Sequence, residues 1–115
     1  MSAESPASPV RIERDGAVGI VILDRAKKRN ALDLNMRAGI SNAVAELTRD
    51  VAIRVLVITG GSQIFAAGAD LNLLVDKGAQ EVAELDLGQY WAPLLQCPKP
   101  MIAAINGYAL GAGCE

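Results

Sequence analysis

At 115 residues the chain is sized for one small domain with a single core, and eleven basic against thirteen acidic residues leave no global positive field for nucleic acid or an anionic membrane surface. Two cysteines, Cys97 and Cys114, outside any CxxC arrangement and with no histidine to join them, argue against a metal site and for reduced thiols in a cytoplasmic protein. No apolar run approaches the roughly 18 residues that a spanning helix needs, so a soluble protein with no membrane partner is expected.

The opening MSAESPASP has neither a basic end nor an apolar stretch and carries Glu4 and two prolines. It reads as a disordered start over residues 1–9, not as a secretory signal. Val10–Arg14 and Val18–Leu23 are short and β-branched, and Asp15-Gly16 between them is a hairpin turn signal. After a polar connection, Leu32, Met36, Ile40, Ala43, Val44 and Leu47 recur at three- and four-residue steps, which predicts a helix over about 33–48 capped by Asn30 or Asp33. Arg54–Thr59 is a continuous apolar run closed by Gly60-Gly61, as for a strand buried on both faces. A second helical stretch is expected over about Gln80–Leu95, broken at Pro98 and Pro100, before a further buried strand over Met101–Ile105. The order strand, strand, helix, strand, helix, strand belongs to the α/β class. There is no internal sequence repeat, although a rhythm of two strands and a helix begins to recur.

Three stretches have the composition to carry chemistry. DRAKKRN, 24–30, gathers four of the eleven cations, Arg25, Lys27, Lys28 and Arg29, in one connection. It is either a solvated loop or an anion site for a phosphate-bearing group. GGSQIFAAGAD, Gly60–Asp70, follows a buried strand, where open α/β sheets place ligands. Its glycines do not form GxGxxG, and the chain has no GK[ST], so neither a dinucleotide fold nor a P-loop is supported. What remains is a small-residue loop, either a packed crossover or a surface of backbone amides for a carbonyl oxygen. NGYALGAGCE, Asn106–Glu115, is a glycine-rich turn leading from a strand toward a helix start. Glu115 there either complements the helix dipole or serves a site.

Taken together, RNAL at Arg29–Leu32, IRVLVITG at Ile53–Gly60, FAAGADL at Phe65–Leu71 and PKPMIAAINGYALGAGCE at Pro98–Glu115 resemble the enoyl-CoA hydratase/isomerase, or crotonase, family. The likeness runs in register over about residues 10–115. It implies a crotonase-like ββα spiral of which only the amino-terminal half is present, so that the chain ends inside its own active site. The resemblance further implies an acyl-CoA thioester as substrate and a homo-oligomer, trimeric or hexameric, when full length. Neither a metal nor a separate cofactor is implied, because coenzyme A arrives as part of the substrate. The backbone amides of Ala69 and Ala112 match the family's oxyanion hole, with Ala112 standing where glycine is common. Arg25, Lys28, Ala31 and Ala67 match the coenzyme A side of the site, with Asp70, Leu71 and Asn72 following Ala69 along the substrate. Glu115 matches the first of two catalytic glutamates of the hydratases, the second lying beyond this chain. The implied reaction is hydration of an enoyl-CoA. A non-catalytic thioester-binding or oligomer-forming piece, or an isomerase of the same family, are the alternatives. The 115-residue chain alone is expected to be inactive.

Overall fold

A computed structural model describes residues 8–115. Residues 1–7, most of the expected disordered start, lie outside the described residues. At Pro9 the backbone carbonyl already accepts a hydrogen bond from the Asp24 amide at 2.7 Å.

The hairpin forms as its turn chemistry dictates. Strand β1, Val10–Asp15, pairs antiparallel with β2, Val18–Leu23, and Gly16 turns the chain at φ +60°, a conformation that costs glycine little. Helix α1, Leu34–Arg49, starts where the Asp33 carboxylate accepts from the Met36 amide at 2.8 Å. At its other end the Lys99 ammonium donates to the carbonyls of Leu47 and Asp50 at 2.9 and 2.8 Å. A cation thus meets the negative end of the helix and satisfies carbonyls left over there. The chain then enters β3, Val55–Thr59, parallel to β2, and later β4, Met101–Ala104, parallel to β3. The result is a mixed four-stranded sheet in the order β1-β2-β3-β4. Met36, Ile40, Ala43, Val44 and Leu47 of α1 are buried in one core with Val21, Leu23, Ile53 and Leu56.

Two expectations are corrected and one alternative is resolved. The single helix over Gln80–Leu95 is instead α2, Ala79–Leu85, a 3-10 turn over Leu87–Trp91, and α3, Ala92–Gln96. The break falls at Asp86, whose φ of +48° ends α2 in the left-handed region, and Pro93 lies at the start of α3. Asp33, not Asn30, caps α1. The two apolar strands are less covered than their composition implies. In β3 only Leu56 is buried, and in β4 Ile102 is 54% exposed, because α1 packs over the hairpin side of the sheet and β4 is its edge.

Candidate active site

Three segments line up beyond the carboxyl ends of β2, β3 and β4. The middle one, within Gly60–Asp70, is held on one side by Ala67 N–H to the Arg29 carbonyl at 3.0 Å and Leu32 N–H to the Gly68 carbonyl at 2.8 Å. On the other side Phe65 N–H donates to Tyr108 and Leu110 N–H donates to Ala66, both at 3.1 Å. Bridges Leu32↔Ala69 and Ala66↔Ala109 mark the two seams. The key to the first seam is Asn30, which is 1% exposed and takes φ +54°. Its carboxamide accepts from the Arg25 amide at 2.8 Å and donates to the carbonyls of Gly60 and Phe65 at 3.1 and 3.0 Å. The Asn30 side chain therefore ties the polar connection to the start and the middle of the glycine loop, and every hydrogen bond it makes replaces one that water would otherwise supply.

The seams fix two peptide planes in a matched way. The Gly68 carbonyl is gripped by Leu32 N–H, and in a planar trans peptide the following N–H, that of Ala69, points the opposite way. The Gly111 carbonyl is gripped by the amides of Cys114 and Glu115 at 3.0 and 3.3 Å, so the Ala112 N–H is turned away from those bonds likewise. Neither the Ala69 nor the Ala112 amide donates to a partner among the described residues. Both planes follow a glycine at positive φ, +101° at Gly68 and +52° at Gly111. At Gly68 there is a second demand: a Cβ would stand 2.9 Å from the Leu110 carbonyl oxygen and 3.9 Å from the Ala112 nitrogen, so Gly68 lies close beside the closing turn. The helix start expected at the closing turn is a single 3-10 turn, Gly111–Gly113.

Beside the Ala112 turn lies a cavity of about 320 Å³ whose walls include Leu32, Phe65, Trp91, Met101, Ala112 and Glu115. Glu115 is the acidic residue on that wall among the described residues and is exposed. The other candidate residues are more scattered. Arg25 is half-buried and its guanidinium is ion-paired with Asp33, whereas Lys28 is exposed. Ala31 and Ala67 sit in the first seam, and the Asp70 carboxylate accepts from the Asn72 amide at 2.9 Å, opening a 3-10 turn over Leu71–Leu73. Leu71, 77% exposed, and Asn72 face outward. Cys97 and Cys114 are free thiols.

Two residues that composition did not single out stand out here, Asn30 and Arg37. Arg37 is 3% exposed, donates from Nε to the Leu32 carbonyl at 2.9 Å, and lays its guanidinium over the Trp91 ring, 5.3 Å from the centroid. Burial pushes its pKa down, while the charge of Glu115 and the Tyr90 phenol pull it back up. A signal for Arg37 exists in the sequence: it precedes Ile40 and Val44 by three and seven residues, on the apolar side of α1.

Residues 13–115 match the family profile described as enoyl-CoA hydratase/isomerase. The chain is 42% identical over 108 residues to a 2,3-dehydroadipyl-CoA hydratase of Escherichia coli (strain K12), covering 94% of this chain and 42% of that relative. It is 37% identical over 102 residues to a mitochondrial enoyl-CoA hydratase of Pongo abelii, covering 89% of this chain and 35% of that relative. Among solved structures, an enoyl-CoA hydratase/carnithine racemase of Magnetospirillum magneticum superposes with a TM-score of 0.86 at 31% identity, over 94% of this chain and 42% of the other. The enoyl-CoA hydratase of Thermoplasma volcanium GSS1 superposes with a TM-score of 0.82 at 32% identity, over 95% and 44% respectively. The chain thus spans about two fifths of the length of the curated relatives it matches. Its mixed sheet, with the glycine loop and closing turn at the strand ends, is a partial crotonase-fold α/β domain, and the chain belongs to the enoyl-CoA hydratase/isomerase family.

Proposed function

We propose that the protein carrying this chain is an enoyl-CoA hydratase that adds water across the 2,3 double bond of an enoyl-CoA thioester. The observation behind this reading is the matched pair of peptide planes: at Ala69 and at Ala112 a gripped glycine carbonyl turns an unpartnered N–H outward, and Gly68 lies close beside the closing turn that carries Ala112. Two such donors stabilise negative charge on one oxygen without reorganising, each worth about 10²–10³ in rate where measured.

In the proposed step the thioester carbonyl oxygen takes both N–H bonds. Water oxygen bonds to C3, its proton passes to the Glu115 carboxylate, and the π electrons of C2–C3 move through C1 onto the carbonyl oxygen as an enolate. A second carboxyl group, outside this chain and protonated at the start, donates its proton to C2 as the enolate collapses, and the proton held by Glu115 is then passed back to it, so that one water is consumed and both groups are reset. The apolar cavity beside Ala112 and Glu115 suits an acyl chain. Lys28 is the exposed cation for the coenzyme A phosphates, and Arg25, held by Asp33, shapes the loop that presents it. Ala31 and Ala67 border the nucleotide end, and Asp70, Leu71 and Asn72 line the approach past Ala69. No metal or separate cofactor enters this scheme. Assembly as a trimer or paired trimers in the cytoplasm completes the proposal.

The relatives named as a 2,3-dehydroadipyl-CoA hydratase and a mitochondrial enoyl-CoA hydratase support the reaction class. The test is hydration of crotonyl-CoA by the full protein, followed as loss of the conjugated thioester absorbance. Glu115→Gln is expected to lower kcat by about 10²–10⁴ with KM little changed. Unchanged turnover in that variant would contradict the role of Glu115.

A further inference from the structure

We infer that Arg37 is a positioning residue for the thioester site, locking the peptide plane that presents the Ala69 amide through the backbone of Leu32. The inference rests on the hydratase reading for what that amide does, but its structural half stands by itself.

The linkage is short. Arg37 Nε–H holds the Leu32 carbonyl at 2.9 Å, and the N–H of the same residue holds the Gly68 carbonyl at 2.8 Å. The Gly68 carbonyl and the Ala69 N–H belong to one rigid peptide, so rotation of that plane requires Leu32 to move. Leu32 is pinned at both ends, its side chain 2% exposed in the core and its carbonyl by the guanidinium. A surface bond would add little stiffness. This one is buried and charge-assisted, the kind that is strong when made and costly when one partner is removed.

A nearly fully buried arginine also needs a reason to be there, since taking the cation out of water is costly unless partners replace the lost hydration. Here no carboxylate forms an ion pair with it among the described residues. Its partners are the Leu32 carbonyl, the face of Trp91 and the field of Glu115. All three border the cavity, where Leu32, Trp91 and Glu115 are wall residues. Arg37 therefore connects the loop bearing one oxyanion donor to the wall bearing the candidate acid-base carboxylate. A leucine or methionine would fill the same space with less desolvation, so packing alone does not account for the guanidinium.

Two measurements on the chain test this. In the ligand-free protein, Arg37→Met is expected to accelerate hydrogen exchange of the Leu32 amide at least ~10-fold while Val21 and Leu56 amides keep their wild-type rates. Arg37→Gln, which retains a side-chain N–H donor, is expected to return Leu32 exchange toward wild type. Titration calorimetry then compares crotonyl-CoA with free coenzyme A, which lacks the thioester carbonyl. Arg37→Met is expected to reduce the preference for the thioester ~10-fold, about the strength of one donor bond, with free coenzyme A bound as before. Leu32 exchange unchanged in Arg37→Met, or all core amides accelerated together in both variants, would overturn the inference. A wild-type chain with no thioester preference would instead count against the hydratase reading, and the exchange result would still judge the linkage.

Discussion

The two sides of the sheet differ sharply in how well they are covered. On the hairpin side, Val21, Met36, Val44, Leu47 and Leu56 have no exposed surface, and α1 supplies the cover. On the β4 side, Ile102, Ile105 and Leu110 are each more than half exposed. The candidate site straddles this boundary. Its Ala69 plane is anchored to the covered side through Leu32, Asn30 and Arg37, whereas its Ala112 plane rests on a single 3-10 turn at the bare side. The lesson is that one donor is held by a finished core and the other by a short turn backed only by its seam with Ala66, so the two should respond differently to substitution and to whatever covers β4.

The largest contrast is expected in stability. Leu47→Ala should cost about 2–5 kcal/mol in urea unfolding of the chain, through lost transfer energy and a residual cavity. Ile102→Ala, at a 54% exposed position, should cost less than about 0.5 kcal/mol in the same assay. Equal losses would break the comparison. Next comes Asn30→Ala, which strands the Gly60 and Phe65 carbonyls and places alanine at φ +54°. A loss of about 1–3 kcal/mol is expected for a buried group left unsatisfied, with Asn30→Asp also destabilising because a carboxylate has no N–H to offer those carbonyls.

The glycines sharpen the contrast between the two planes. Gly68→Ala meets both the left-handed backbone and the Leu110 carbonyl at 2.9 Å, whereas at Gly111 a Cβ meets nothing within 4 Å and only φ opposes it. Gly111→Ala should therefore cost about 1–2 kcal/mol, and Gly68→Ala more, together with loss of any thioester preference. A reversed order, read by thermal unfolding, would show that the closing turn is the more constrained of the two. The smallest effect is expected at Asp50, where the Ala52 amide and then the Arg14 guanidinium hold the carboxyl below its ordinary range. Because that folded-state value is depressed, the associated stability is present above the unfolded carboxylate value of about 4 and is lost as pH falls through the folded one. The group is half-buried but remains in contact with solvent that screens it, so Asp50→Asn should only slightly flatten the acid limb of a stability-pH curve.

Much of the covered side was legible in the sequence because its signals are local. Asp15-Gly16 between β-branched runs specifies the hairpin, and the 36-40-43-44-47 spacing specifies α1 to within a residue at each end. The glycine loop and closing turn were legible as places where backbone amides come free, and as motifs of a family. What escaped depends on tertiary partners. Asp86 ends α2 in the left-handed region, which aspartate tolerates better than most residues but which the apolar spacing on either side of it does not signal. The position of Arg37 on the apolar side of α1 is legible, but its partners Trp91 and Leu32 are brought to it only by the fold, and Arg25 reads as free for a phosphate until Asp33 claims its guanidinium. The apolar run of β4 reads as buried because composition records what a strand is suited to contact, not whether these residues supply the contact.

The most direct measurement of the paired-donor site is the amide spectrum of the ¹⁵N-labelled chain titrated with crotonyl-CoA and, separately, with free coenzyme A. If one carbonyl oxygen is held by both planes, the Ala69 and Ala112 amide protons move downfield together with crotonyl-CoA and stay in place with coenzyme A alone. Amide protons that do not move, that move singly, or that move equally with both ligands would mean that these two N–H groups do not share an oxygen.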